Sequence, residues 1–289
     1  MHNFEYREPE TLEEALLLLG ELGEDAKVVA GGTALVIMLN QRLLMPSHLI
    51  SLRKVENLQA IEASEGDLQL GALATHRAVE TSPLVRKHSP VLAETYAQVA
   101  TLRIRNMATV GGSLAHADPS QDSPVTLMAL DARVNLASAD GSREVPLDKF
   151  FTDYYETVVL PDELITRVLV PPAAPETGSA YVKFLPRSSE DYGTVGVAAT
   201  VSVEPDSGVC RDCRLVVGGV GSTPMRAREA EDLLKGQRST PELLQEVGAA
   251  ARQLTDPVSD VRGSGEYKRA ITGVFVGRAI DQAWQRALV

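Results

Sequence analysis

The chain predicts an α+β fold in two domains, and three observations carry that reading. Strand, glycine turn and helix patterns alternate through residues 1–173. A proline cluster, Pro171, Pro172 and Pro175, then interrupts the chain without periodicity, which marks a boundary. Beyond it, strand-like runs at 180–184, 195–203 and 213–220 follow on connections too short for parallel crossovers, so they predict an antiparallel sheet. The domains are placed at 1–173 and 178–289, the second one smaller and closed by two helices.

The elements follow in order. Thr11 is an N-cap, and Glu14 completes a capping box for the first helix. Residues 27–30 read as a strand, Gly31 and Gly32 as a turn, and 34–39 as a helix. Residues 48–52 form another strand. Residues 58–61 and 68–71 form an antiparallel pair around Glu65, Gly66 and Asp67. Thr75 caps a helix from His76, and 90–100 is helical. A second glycine turn is centred on Gly111 and Gly112. Two strands flank the turn at 139–142, a hairpin signal. In the second domain, Pro205 to Gly208 read as a hairpin turn, and Ser222 or Thr223 caps a helix from about Arg226. Helices at about 240–254 and 266–287 end the chain.

Composition narrows the function. The 289 residues are 44% hydrophobic and 23% charged, enough apolar material for a substantial core. Aromatic residues are only 4%, so that core is built from aliphatic side chains. The net charge of −11 argues against nucleic acid and anionic membrane surfaces as partners. No apolar run reaches the roughly 18 residues of a membrane span, and the first residues have no apolar signal core. The chain reads as cytoplasmic. Cys210 and Cys213 have redox-pair spacing, but no second pair of ligands accompanies them. They read as two unpaired thiols at a strand start, too few for zinc or an iron–sulfur cluster.

Three segments are candidates for chemistry. In Val29, Ala30, Gly31, Gly32, Thr33, Ala34 and Leu35, adjacent glycines let backbone N–H groups close on an anion, and Thr33 adds a hydroxyl; a plain strand-to-helix turn is the alternative. Thr109, Gly111, Gly112 and Ser113 form a second turn able to grip the other side of a pyrophosphate. Asp118 and Asp122 follow it. Either caps a turn beside a proline, or supplies acceptors for sugar hydroxyls. Lys183 stands in an apolar strand, where it either snorkels outward or faces a ligand. No G-x-S-x-G, P-loop or G-x-G-x-x-G motif is present.

Several of these motifs occur together in one known order. Phe4, Glu5 and Tyr6 precede the Thr11 to Ala15 cap. The segment from Ala30 to Leu35, the segment from Ile104 to Ala115, Asp162 to Ile165, the Lys183 strand and Ser264 to Arg269 follow. Over nearly its whole length the chain resembles the medium, FAD-binding subunit of molybdenum hydroxylases, such as carbon monoxide dehydrogenase, and the FAD domain of xanthine dehydrogenase. The resemblance implies a PCMH-like FAD-binding domain, with subdomains at about 1–55 and 56–173, followed by a carbon monoxide dehydrogenase flavoprotein-type domain. It implies non-covalent FAD, with its pyrophosphate on residues 29–35, Thr109 and Gly112. Asp122 would bind a sugar hydroxyl. Leu164, Ile165, Lys183 and Tyr192 would lie near the isoalloxazine, where a lysine charge favours the reduced anion. On this reading Gly32→Asp and Gly111→Val each lose FAD while the chain stays folded. Ala34 departs from the polar or acidic residue of many relatives.

The implied partners are a molybdopterin-binding large subunit and a small subunit with [2Fe–2S] clusters, in a dimer of heterotrimers. The chain would be an electron-transfer oxidoreductase subunit without a catalytic side chain of its own. Two rivals stand beside it. One is a free-standing FAD oxidoreductase, with Tyr192 and Glu190 as candidate acid or base. The other is a non-catalytic binding module whose glycine turns are only turns.

Overall fold

The computed structural model describes residues 3–64, 66–186, 188 and 192–289. The chain opens with β1 (Glu5–Arg7), α1 (Leu12–Leu22), β2 (Ala26–Val29), α2 (Leu35–Asn40) and β3 (His48–Ser51). These strands form a parallel sheet in the order β1-β3-β2, as helical crossovers require. The Thr11 hydroxyl accepts from the Glu14 N–H, as the capping box predicts. The Glu14 carboxylate, however, accepts from the Glu10 N–H, one residue before the cap. Ala15, Leu16 and Leu19 of α1 bury against Ala26 and Ile50. Each buried leucine contributes about 2 kcal/mol of transfer free energy.

A second sheet is antiparallel, in the order β4-β5-β10-β6-β7. Its first pair is β4 (Ile61–Ser64) and β5 (Asp67–Gly71). Leu58, expected in the first strand, lies before it, buried with its carbonyl accepting from Leu73 N–H. Helices α3 (His76–Thr81), α4 (Pro83–His88), α5 (Pro90–Ala97), α6 (Leu102–Arg105), α7 (Val110–His116) and α8 (Ser123–Ala129) follow. The hairpin of β6 (Arg133–Ser138) and β7 (Gly141–Pro146) turns at Ala139 and Asp140, as its residues predict. A small hairpin, β8 (Phe151–Asp153) and β9 (Glu156–Thr157), leads to β10 (Leu164–Val170). The central strand β10 is buried at every position but Arg167. The core between sheet and helices is aliphatic, with Leu70, Leu92, Leu114, Leu127, Leu136 and Val168 among its members.

The second domain is an antiparallel sheet of β11 (Thr177–Phe184), β12 (Val195–Val203), β13 (Cys210–Gly218) and β14 (Met225–Arg226), in that order. One face carries Val197, Leu215 and Val217 under α9 (Arg228–Leu234), α10 (Pro241–Gln253) and α11 (Gly265–Ala287). The opposite face carries Tyr181, Ala198 and Val216 into the core of the first domain, beneath α8. Period-two alternation thus joins the domains. The helix expected from Arg226 begins at Arg228 without a side-chain cap. Arg226 is held in β14, where its guanidinium grips Glu231 at 2.8, 3.1 and 2.9 Å. Cys210 and Cys213 are free and buried, and burial pushes the Cys210 thiol up to about 11, so both are poor nucleophiles. Among the described residues no helix is long and apolar enough to cross a membrane.

His76 is 3% exposed and packs edge-to-face on Tyr96, with ring centroids 4.9 Å apart. Burial lowers its pKa to about 4, against 6.5 when unfolded. Between those values the unfolded chain holds the extra proton, so acid removes stability. Acidification from pH 7 to pH 5 is expected to cost roughly 2 kcal/mol through this residue. His76→Phe should abolish that part of the loss, read as urea midpoints at the two pH values. An equal acid loss in both proteins would show that His76 is not its source.

Candidate functional site

The two glycine segments meet in space but do different work. β2 delivers Val29, whose carbonyl accepts from Leu52 N–H. The chain then turns through Gly31 and Gly32 into α2. Gly32 has φ +70°, a left-handed conformation that side chains resist. Gly31 sits so close to the next loop that a Cβ would overlap the Met107 carbonyl. Among the described residues, the N–H groups of Gly32, Thr33, Ala34 and Leu35 donate to no protein acceptor. They form a row of unengaged donors on half-buried backbone, the arrangement that an anion satisfies.

The second segment is not a nest. It is the first turn of α7, and the N–H groups from Val110 to Ser113 are already used. Gly111 N–H donates to Ala72 O at 2.8 Å and Val110 N–H to Ala74 O at 3.0 Å. Gly112 N–H donates to the Thr109 hydroxyl at 3.2 Å, and Ser113 N–H to Thr109 O at 2.9 Å. Gly111 is required by packing, since a Cβ would lie 2.7 Å from Ala72 Cβ. Gly111→Val therefore attacks the fold, and the expectation that it would only strip a ligand is corrected. Gly112 faces the first loop, with its Cβ direction 3.6 Å from Ala30 Cβ. The Thr109 hydroxyl accepts from Gly112 and keeps its own proton to donate.

Arg105 explains why the segment before Thr109 is so distinctive. Its guanidinium donates to Glu80 at 2.9 Å and to the carbonyls of Val99 and Ala100, both at 2.9 Å. It thereby clamps the turn at Ala100, whose φ is +40°. Backbone bonds to 72–76 hold one side of this loop and Arg105 the other.

Asp122 and Lys183 are brought together by the joining of the domains. Lys183 Nζ donates to Asp122 Oδ2 at 2.9 Å and to Gln98 O at 3.2 Å. Tyr181 donates its hydroxyl to Asp122 Oδ1. Burial pushes the Asp122 carboxyl up, opposed by the Lys183 charge and by both hydrogen bonds. Lys183 thus neither snorkels outward nor stands as an isolated cation. Tyr181 was not singled out from the sequence. The signal was there, since residues two apart on a strand share a face.

The remaining candidates are more dispersed. Leu164 and Ile165 begin β10 and are buried in separate apolar clusters, one under α1 and one in the main core. Asp118 caps its turn, accepting from Ser120 N–H at 2.9 Å. Tyr192 is 46% exposed under the Arg262 guanidinium, 5.7 Å from the ring centroid, and burial of the phenol raises its pKa to about 12. Glu190 lies outside the described residues.

Comparison with known proteins adds identity to this geometry. Residues 2–173 match the FAD binding domain in molybdopterin dehydrogenase, and residues 180–283 match the CO dehydrogenase flavoprotein C-terminal domain. The chain belongs to the FAD-subunit family of the molybdenum hydroxylases. It is 38% identical to the 6-hydroxypseudooxynicotine dehydrogenase complex subunit alpha of Paenarthrobacter nicotinovorans, covering 99% of this chain and 96% of that one. It is 35% identical to the carbon monoxide dehydrogenase medium chain of Hydrogenophaga pseudoflava, over 98% of each. Among solved structures, it superposes with a TM-score of 0.93 on quinoline 2-oxidoreductase from Pseudomonas putida 86, at 34% identity and 99% of each chain. Relatives in this family are subunits of multi-subunit oxidoreductases. The unengaged donors of the first loop and the glycine-tight seam suit an FAD pyrophosphate, so the residues fit the family's cofactor.

The buried pair makes a quantitative prediction. Lys183→Met leaves the Asp122 carboxylate buried without its cation, at an expected cost of about 3–5 kcal/mol. Adding Asp122→Asn should recover most of it, because a neutral amide can still accept from Tyr181. Urea denaturation of the two single variants and the double variant measures the coupling. Strictly additive effects would mean that the pair contributes nothing as a pair.

Proposed function

We propose that this chain holds FAD non-covalently along the seam between its two glycine loops. There the flavin relays electrons from partner subunits to an external acceptor. Residues 1–173 act as the FAD-binding domain and 178–289 as the flavoprotein-type second domain. The observation that carries the proposal is the row of unengaged N–H groups at residues 32–35, walled by the loop that starts at Thr109.

Val29, Ala30, Gly31, Gly32, Thr33, Ala34 and Leu35 receive the pyrophosphate, the backbone supplying donors and Gly31 the clearance. Thr109 and Gly112 close the opposite wall. Asp122 accepts from a sugar hydroxyl with the lone pairs that Tyr181 and Lys183 leave over. Leu164, Ile165, Lys183 and Tyr192 stand toward the isoalloxazine. Bound FAD supplies a group that takes up single electrons and gives up two; the protein positions and tunes it. Neither histidine of the FAD-binding domain's interior favours covalent attachment. His76 is buried against Tyr96, and His116 packs on Tyr155 with centroids 5.2 Å apart.

The partners are a molybdopterin-binding large subunit, where the organic substrate reacts, and a [2Fe–2S] small subunit, in a dimer of heterotrimers in the cytoplasm. The relatives, among them subunits of carbon monoxide dehydrogenase, nicotine 6-hydroxylase and nicotinate dehydrogenase, support the electron-transfer role.

The purified chain, alone and with its co-expressed neighbours, should show flavin bands released as FAD by acid. Gly32→Asp keeps the backbone room, since the nearest atom to its Cβ would be Val36 Cγ2 at 3.4 Å, but places a carboxylate against the anion site. FAD binding should weaken at least about tenfold, about 1.4 kcal/mol, beyond a stability loss of about 1 kcal/mol that the φ of +70° imposes on a side chain there. Gly32→Asn, of the same shape without the charge, should retain more FAD. Normal flavin content in Gly32→Asp would reject the loop as the pyrophosphate site.

A further inference from the structure

We infer that Tyr181 is a positioning residue for the flavin: its hydroxyl, seated on Asp122, sets how much of the Lys183 charge reaches the isoalloxazine. The inference rests on the flavin reading above. Tyr181 and Lys183 are two residues apart on β11 and turn to the same side, into the junction of the domains. One strand thereby supplies a donor to each oxygen of one carboxylate. Tyr181 donates to Asp122 Oδ1, and Lys183 Nζ donates to Oδ2 at 2.9 Å.

The fold makes room for the hydroxyl itself and not only for the ring. Tyr181 is buried in the core shared by both domains. Gly196, on the neighbouring strand β12, lies against the hydroxyl, and a Cβ there would be 2.7 Å from it. Any larger residue would push the hydroxyl off Asp122. Among the described residues, that hydroxyl has one acceptor, Asp122. Burial, with the Asp122 charge beside it, raises the Tyr181 pKa well above the usual phenol value, so Tyr181 remains a donor.

Charge gives this contact its consequence. The Lys183 side chain is 1% exposed and that of Asp122 6%, so water screens neither well. As a carboxylate, Asp122 cancels the Lys183 charge. As a carboxylic acid, it leaves Lys183 an uncompensated cation. Burial favours the acid, while Lys183 and the Tyr181 hydrogen bond favour the carboxylate. Lys183 cannot be altered to shift this balance without altering the charge that the flavin feels. Tyr181 can, because it is neutral. Around the pair, the Gln98 carbonyl shares Lys183, and Tyr96 and Tyr192 stay protonated, chiefly through burial. The further charges are Asp118, engaged by Ser120 N–H and the Tyr155 hydroxyl, and Arg262 over the Tyr192 ring.

A cation beside the isoalloxazine favours the reduced, anionic ring. Loss of the Tyr181 hydroxyl therefore has a definite sign. Asp122 holds its proton to higher pH, Lys183 is left uncompensated, and the flavin becomes easier to reduce. The effect belongs to the pH range in which Asp122 is protonated in the variant and ionised in the wild type. Above that range both proteins carry the carboxylate and behave alike.

The test uses the FAD-loaded chain, its flavin content read first by absorbance. The flavin midpoint is then titrated anaerobically with dithionite against reference dyes, from acid to alkaline pH. In Tyr181→Phe the ratio of reduced to oxidised flavin at a fixed potential should rise about three- to tenfold where Asp122 titrates, which is about 15–30 mV for a two-electron couple. The excess should fade at alkaline pH. Gly196→Ala, which keeps the hydroxyl but displaces it, should reproduce both results. Asp122→Asn, which keeps an acceptor oxygen but no charge, should raise the midpoint at every pH, and Tyr181→Phe added to it should change nothing further. A midpoint unchanged in Tyr181→Phe, or shifted equally at all pH values, overturns the inference. So does a further shift from Tyr181→Phe in the Asp122→Asn background. If Asp122→Asn moves the midpoint and Tyr181→Phe does not, this inference alone falls. An unmoved midpoint in Asp122→Asn overturns it together with the placement of Lys183 at the isoalloxazine. A wild-type chain that carries no FAD overturns the flavin reading and this inference together, and the absorbance shows it before any titration.

Discussion

The close approach of Gly31 to the Met107 carbonyl is the constraint on which the candidate site depends. These residues lie on loops far apart in sequence, and the space between them does not admit even one methyl group. With glycine at 31, the first loop lies flat on the second, and its N–H groups stay turned toward the groove instead of into a ladder. The second loop can serve as that wall because it is itself immobilised. Residues 72–76 bind its backbone through three hydrogen bonds, and Arg105 clamps the turn before it. One loop is therefore left with unengaged donors, and in the other the N–H groups from Val110 to Ser113 are occupied. A ligand phosphate meets soft partners on one side and a rigid surface on the other.

The same economy governs the domain junction. The sheet of the second domain uses both faces, one under its own helices and one in the core of the first domain. At the margin of that shared core lie Asp122, Tyr181 and Lys183. A buried ion pair adds little net stability compared with apolar side chains, because both ions lose their water. What it adds here is geometry. Asp122 is held by two donors from one strand, so β11 can sit on the start of α8 in only one register. The second domain thereby sets the position of Lys183 and of the Tyr192 and Gly193 segment relative to the loops of the first.

Much of this was legible in the residues alone. The caps at Thr11 and Thr75, the two-residue turn at Ala139 and Asp140 and the antiparallel second sheet all depend on short-range chemistry. A hydroxyl three residues before an N–H, or a turn residue between two strands, needs no distant partner to be recognised. The ordered series of motifs likewise placed the chain in its family. The glycine pair at 31 and 32 was correctly read as a place of backbone freedom.

What only the tertiary structure decided is which glycine serves which neighbour, and which charge meets which. Gly111 looked like a ligand contact and is a packing contact with Ala72; Gly31 is small because of Met107. Leu164 and Ile165 open a buried central strand, and a continuous apolar run does not announce which sheet it will enter. Lys183 and Asp122 stand on different domains, so their pairing depends on how two sheets and a helix pack. Local pattern determines the elements, because their hydrogen bonds close within a few residues. Long-range contacts determine the site, because the free energy that positions it comes from surfaces that meet only when the chain is folded.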